Sequence, residues 1–207
     1  MKLSLVSVLT LGLAAGSLAA PTQVERDLPT VTGVLSGIGT KVDALDAAIK
    51  AYNGGDVAKV QQASDNLVTS INQGNTKVSG SGALSSNDAL GLPGPVNELK
   101  NKIATVVSDL NGKKSEIVKA GKGAQTYNDL QQQSAAAKKL SNNIVAKVPQ
   151  NLQSLAGSVA GGITDAINTG IKDFQDQAPK GKREEVEEVA TPSASAAATP
   201  SPSAVAV

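Results

Sequence analysis

Between Val31 and Tyr52, apolar side chains recur every three or four residues, at Val31, Val34/Leu35, Ile38, Val42, Leu45, Ile49 and Tyr52. That spacing sets them on one side of an α-helix as an unbroken stripe. A stripe so long must be kept from water, either by sister helices or by something that is not this protein. Four further stretches carry the same pattern, and the alternation that strands require is missing. The expected fold is all-α: a five-helix, mainly up-and-down bundle with a disordered C-terminal tail.

The first helix is expected over about 28–52, from Asp27 with Pro29 in its first turn to the stop signal "NGG". Asp56 is the expected cap of the second, whose face holds Val57, Val60, Leu67 and Ile71 and fades towards "SGSG" at 79–82. A loop follows through "SSNDALGLPGP", where Pro93 and Pro95 rule out an uninterrupted helix. The third is expected from about Val96 to Ala120, aligning Leu99, Ile103, Val106, Leu110 and Ile117. Asn111-Gly112 marks a kink or break in it, next to an inward position that falls on Lys113 or Lys114. Thr126 and Asp129 resemble a capping box opening the fourth, with Tyr127, Leu130, Ser134, Ala137, Leu140/Ser141, Ile144 and Val148 along it. Pro149 closes it. The fifth, about 150–177, aligns Leu152, Leu155, Val159, Ile163, Ile167, Ile171 and Phe174.

The ends have a different character. Lys2, the apolar run Leu3–Ala15 and the small residues "AGSLAA" lay out a secretory signal peptide, 1–19, cut after Ala19. Its apolar run is short of the ~20 residues that span a bilayer, so no transmembrane segment is expected. Residues 20–27 form an exposed lead-in, 28–178 the helical-bundle binding domain, and 179–207 a tail of Ser, Thr, Pro and Ala with too little bulk to pack. Its hydroxyls beside prolines suit O-mannosylation, and such glycans suit contact with cell-wall polysaccharide. Lys182-Arg183 at the junction is a candidate dibasic processing site. "AVAV" is short for the apolar tail that directs a C-terminal lipid anchor.

Composition removes whole classes of chemistry. With no histidine and no cysteine, Ser-His-Asp and thiol catalysis are excluded, and so are most metal sites. No enzyme, cofactor or metal is expected. Tyr52, Tyr127 and Phe174 are the only aromatic residues, too few for the stacking platforms that single-stranded nucleic acid needs, and each falls on an apolar stripe as a core filler. Residues 28–183 hold 17 basic against 12 acidic side chains, and nine lysines lie between 100 and 147. These read as a solvated face, or as a weak attraction to an anionic surface.

Two helices are rich in interior glycine, Gly33, Gly37 and Gly39 in the first and Gly157, Gly161, Gly162 and Gly170 in the fifth. Each costs about 1 kcal/mol relative to alanine, so these helices depend on packing. One account is close backbone approach, for which "GSVAG" at 157–161 has the spacing. The other is a loosely locked bundle whose aliphatic stripes line a cavity or open onto an oily surface. Burying an acyl chain of ~400 Å² yields on the order of 10 kcal/mol before binding costs. The candidate contacts for lipid or surface are Leu35, Ile38, Val42, Leu45, Ile49, Leu67, Ile71, Ile103, Val106, Leu110, Ile144, Leu155, Val159, Ile163 and Ile167.

The order of signal peptide, "LPTVTGVLSGIGTKVDALDAAIKAYNGGDVAKVQQASDNLVTSINQG", aliphatic central helices, "AKVPQNL" and "AINTGIKDF" resembles the fungal hydrophobic surface binding protein A family, which takes in cell-wall galactomannoproteins. The likeness covers roughly residues 28–178 and rests on stripes and the "YNGGD" and "KVP" turns. It implies a secreted, non-enzymatic helical domain of the fungal wall or medium. Such a domain adsorbs to hydrophobic surfaces, or holds fatty-acid-like lipids as a carrier or sequestering protein. It brings no active-site motif, and the absence of an anchor-type tail departs from wall-attached members. A passive O-mannosylated structural wall protein is the remaining alternative.

Overall fold

The computed structural model describes residues 27–179. The signal peptide, most of the lead-in, the tail with its hydroxyls and Lys182-Arg183 lie outside the described residues. Seven α-helices follow in order: α1 (Leu28–Ala51), α2 (Ala58–Gly80), α3 (Ser86–Leu90), α4 (Pro93–Gly112), α5 (Lys114–Lys119), α6 (Gly123–Lys147) and α7 (Gln153–Asp173). Short 3-10 turns at Gln150–Leu152 and Gln175–Gln177 flank α7. Among the described residues there is no strand.

The five long helices are those the stripes announce, and their ends follow local chemistry. Pro29 occupies the first turn of α1, where a missing N–H costs nothing. Gly54 (φ 92°) and Gly55 (φ 88°) then supply the left-handed turn that lets α2 fold back. The cap of α2 falls on Val57 rather than on the expected Asp56, whose carboxylate accepts the Ala58 N–H at 2.8 Å from one position earlier. Three further boundaries differ from expectation. Pro93 and Pro95 fall within the first turn of α4, among the N–H groups a helix leaves free, so α4 starts at Pro93 rather than Val96. The supposed loop before it contains α3, opened by a capping box in which the Asp88 N–H donates to Ser85 Oγ at 3.1 Å. The Thr126–Asp129 capping box does not form: α6 starts at Gly123, and the Thr126 hydroxyl donates back to the Lys122 carbonyl at 3.0 Å. The expected break at Asn111-Gly112 is present and divides α4 from α5.

The long helices close a ring in the order α1, α2, α6, α7, α4 and back to α1, each packed chiefly on two neighbours. Side-chain pairs give the register. Lys102 bonds Asp43 at 2.6 Å and Lys50 approaches Asp109 at 3.4 Å, so α1 and α4 run parallel. Gln125 donates to Gln61 at 2.6 Å and Asn143 to Asn75 at 3.0 Å, so α2 and α6 are parallel too. Ser134 meets Asn168 at 2.9 Å and Ser141 meets the Ala160 carbonyl at 3.4 Å, which makes α6 and α7 antiparallel. Chain direction alternates from one long helix to the next, yet α2 hands over to α4, and α4 to α6, across the ring. α3 and α5 lie on those crossings, one at each end. Leu84 N–H bonds the Lys147 carbonyl at 2.7 Å beneath, and Tyr52 Oη donates to the Glu116 carbonyl at 3.4 Å above.

Tyr52, Tyr127 and Phe174 are all buried. Lys114 lies at the α4–α5 break, with its Nζ bonded to Asp176 at 2.7 Å and 5.6 Å from the Phe174 ring centre. Lys102 and Lys147 are likewise tied, the latter to the Ser79 carbonyl at 3.0 Å. The lysine-rich stretch is therefore partly a set of bonds between elements. The glycine account needs correction. Gly157 and Gly161 face open space, so "GSVAG" makes no close approach. Close approach falls at Gly74 of α2, where an added Cβ lies 2.6 Å from Val34 Cγ1, and at Gly170, 3.3 Å from Val107. The valine is β-branched and cannot swing aside. Gly74→Ala is expected to lower unfolding stability by about 1–3 kcal/mol, whereas Gly161→Ala raises it by up to about 1 kcal/mol. Urea titration of the two variants checks both signs.

Candidate functional site

Closing five long helices into a ring leaves an axial space, and the inward positions are too slender to fill it. The cavity is about 100 Å³. Each of the fifteen stripe residues singled out above borders it: Leu35, Ile38, Val42, Leu45 and Ile49 from α1, Leu67 and Ile71 from α2, Ile103, Val106 and Leu110 from α4, Ile144 from α6, and Leu155, Val159, Ile163 and Ile167 from α7. Ala89 and Leu90 of α3 border one end and Ile117 of α5 the other. Ala137 of α6 and Ala160 of α7 add little bulk to the wall. Most of this wall is hydrocarbon, and a void of this order with such a wall takes up apolar guests. Left empty, it costs on the order of 2 kcal/mol in lost packing.

One stretch of the wall is polar. Gln61 and Ser64 of α2 face Gln125, Thr126, Asp129 and Gln133 of α6, with Lys122 just before the helix. Gln133 Nε2 donates to Ser64 Oγ at 2.9 Å, and both residues are buried. Gln125 Nε2 donates to Gln61 Oε1 at 2.6 Å, and Gln61 Nε2 donates to Asp65 at 3.1 Å. The sequence reading set Ser134 on the inward stripe of α6. The structure turns Gln133 inward instead and leaves Ser134 on the α6–α7 seam, bonded to Asn168 at 2.9 Å. A stripe rule has no means of choosing between adjacent polar residues. The only available signal was Ser64, which stands where the apolar steps of α2 jump from Val60 to Leu67.

Asp129 is half-buried on this wall. Burial pushes its carboxyl above the ordinary carboxylate value, a hydrogen bond with Gln61 pulls it down, and Asp65 across on α2 pushes it up again. A carboxyl raised in the folded state favours its protonated form there. The stability it contributes is then present below its ordinary value of 3.8 and is lost as the pH rises through the folded value. Asp129→Asn is expected to raise the unfolding midpoint at neutral pH, with the gain shrinking as the pH falls below about 4. Thermal melts across the acid range check this. Among the described residues no group of acidic side chains is placed to hold a metal ion, and no helix is long and apolar enough to cross a membrane.

Against known proteins, the family model described as hydrophobic surface binding protein A matches residues 28–146, from the start of α1 almost to the end of α6. Cell wall mannoprotein 1 of Aspergillus flavus is 43% identical over 176 residues, which is 84% of this chain and 64% of that protein. Its counterpart in Aspergillus fumigatus is 44% identical over 171 residues, 83% of this chain and 60% of its own. The chain thus spans under two thirds of the length of these relatives. Among solved structures, ligand binding domain 1 of the Penicillium marneffei MP1 protein, complexed with arachidonic acids, superposes with a TM-score of 0.69 at 32% identity, covering 72% of this chain and 99% of that one. Domain 2 of the same protein, complexed with multiple arachidonic acids, gives a TM-score of 0.69 at 34% identity over 73% and 98%. A model match through most of the ring, backed by 43–44% identity along most of the sequence, establishes the kinship: this chain belongs to the hydrophobic surface binding protein A family.

Proposed function

We propose that this chain is a secreted lipid-binding protein of the fungal wall or its medium, taking long-chain, fatty-acid-like molecules into the axial cavity. The observation that carries this reading is the cavity itself, a hydrocarbon-walled space bordered by stripes from all five long helices. An acyl chain entering it trades contact with water for contact with Leu, Ile and Val and refills the void. Together these gains are on the order of 10 kcal/mol before the costs of association. The arachidonic acids held by the two related MP1 domains support the same ligand class. The mannoprotein names of the relatives support a wall or extracellular location. A binding role also fits a wall that carries one half-buried carboxylate and no histidine or cysteine.

Adsorption to hydrophobic surfaces is a second reading, favoured by one observation. Leu90 on α3 and Leu155 on α7 are 60% and 52% exposed, although both border the cavity. They form the point at which the apolar interior reaches solvent, and an oily surface pressed there meets hydrocarbon. The O-mannosylated tail, its contact with wall polysaccharide and cleavage at Lys182-Arg183 belong to this proposal as well.

Two measurements test these readings. Native mass spectrometry of the delipidated protein with added palmitate is expected to show a bound acid. Ala137→Leu, which pushes three more carbons into the cavity, is expected to weaken uptake by about tenfold with the helical circular dichroism unchanged. An unliganded mass at every lipid concentration overturns the cavity reading. Leu90→Ser with Leu155→Ser is expected to lower retention on octyl beads while leaving palmitate uptake within about threefold. Unchanged retention removes the surface reading.

A further inference from the structure

The cavity is chemically lopsided, with its polar residues gathered mainly where α2 meets α6. Elsewhere the wall is almost wholly hydrocarbon, so the polar end of a long-chain lipid comes to rest beside Gln61, Ser64, Gln125, Asp129 and Gln133. We propose that Asp129 makes this cavity selective for lipids with an uncharged, hydrogen-bonding head group, such as a long-chain alcohol or a protonated fatty acid, over the fatty-acid anion. The proposal rests on the cavity being the lipid site and adds the head-group class to it.

The geometry supplies the reason. Asp129 borders the cavity and is half-buried, so its charge is less screened than a surface charge. A carboxylate offers about four acceptor positions, and Asp129 spends one on Gln61. A hydroxyl or a protonated acid donates into the remaining capacity, whereas a fatty-acid anion has no proton to give and meets a like charge. Across on α2, the charge that acts on Asp129 is that of Asp65, and it is negative. Just before its own helix stands Lys122, the only cationic side chain bordering the cavity among the described residues. It is exposed, so water and salt weaken its pull on an anion. The surrounding amides are partly engaged with one another: Gln61 donates to Asp65 and receives Gln125, and Gln133 donates to Ser64. The raised carboxyl of Asp129 accords with a site that tolerates negative charge poorly.

The test compares palmitate with hexadecanol on the delipidated full chain, by displacement of an uncharged fluorescent lipid at neutral pH and in mild acid. For the unmodified protein at neutral pH, hexadecanol is expected to bind more tightly than palmitate. Asp129→Asn, which keeps the shape but removes the charge, is expected to raise palmitate affinity by about tenfold and to lower that for hexadecanol, which loses a charged acceptor. Acidification is expected to strengthen palmitate binding more in the unmodified protein than in Asp129→Asn, since titration of the lipid itself is common to both. Palmitate affinity that is unchanged or lower in Asp129→Asn overturns the inference, as does a preference of the unmodified protein for palmitate at neutral pH. Failure of every form to bind either lipid overturns the lipid-site reading and this inference with it, a result distinct from equal binding of both.

Discussion

The ring of five helices is the constraint on which everything else depends. With helix axes about 9 Å apart, each axis of a five-membered ring stands roughly 8 Å from the centre. About 5 Å is then left between the backbone cylinders and the central line. Phenylalanine or tryptophan reaches that far, and valine, alanine and isoleucine fall short. This chain has almost no rings to spend, and those it has are buried: Tyr52 after α1, Tyr127 on α6 and Phe174 after α7. The axial cavity is thus a consequence of a five-fold arrangement combined with aliphatic side chains. The interfaces between neighbours remain well packed, as Val34 against Gly74 and Val107 against Gly170 demonstrate.

The crossings that close the ring also define its ends. Because α2 packs on α1 and α6 but not chiefly on α4, the chain must pass across one end of the ring to begin α4, and across the other to begin α6. Each crossing carries a short helix with a buried apolar residue on the cavity, Ala89 of α3 at one end and Ile117 of α5 at the other. Helices of five and six residues have little stability of their own. Their position is held by contacts such as Leu84 with the Lys147 carbonyl and Tyr52 with the Glu116 carbonyl. Function and topology meet here, since the elements that carry the chain between long helices also border the cavity mouths.

The parallel contact of α2 with α6 brings the polar residues of two stripes together. Ser64, Gln61, Gln133 and Asp129 each look like a blemish on an otherwise apolar face when read along one helix. Across the seam they become a hydrogen-bonded set that satisfies buried polar atoms at modest cost. The same pairing leaves one carboxylate half-buried against a hydrocarbon space. An apolar chain with a polar head finds both of its requirements in a single cavity.

Much of this architecture could be read from spacing alone. The stripes located five long helices and the residues facing inward, because a 3.6-residue period leaves no choice about which side chains share a face. The Gly54-Gly55 turn and the break at Asn111-Gly112 were legible for an equally local reason: each depends on the conformational preference of one or two residues. Other features were out of reach. Pro93 and Pro95 read as helix breakers until the first turn was seen to begin at Pro93, and the choice of Gln133 over Ser134 needed the position of α2. Gly157 and Gly161 had the spacing of a packing motif but lie on a side that no helix approaches. The sequence by itself determined the helices, their inward faces and the lack of bulk on those faces, since these follow from local periodicity and composition. Which helices become neighbours, and therefore that the faces enclose a cavity with one polar seam, was decided only in three dimensions, because an apolar stripe gains nearly the same free energy against any partner of similar shape.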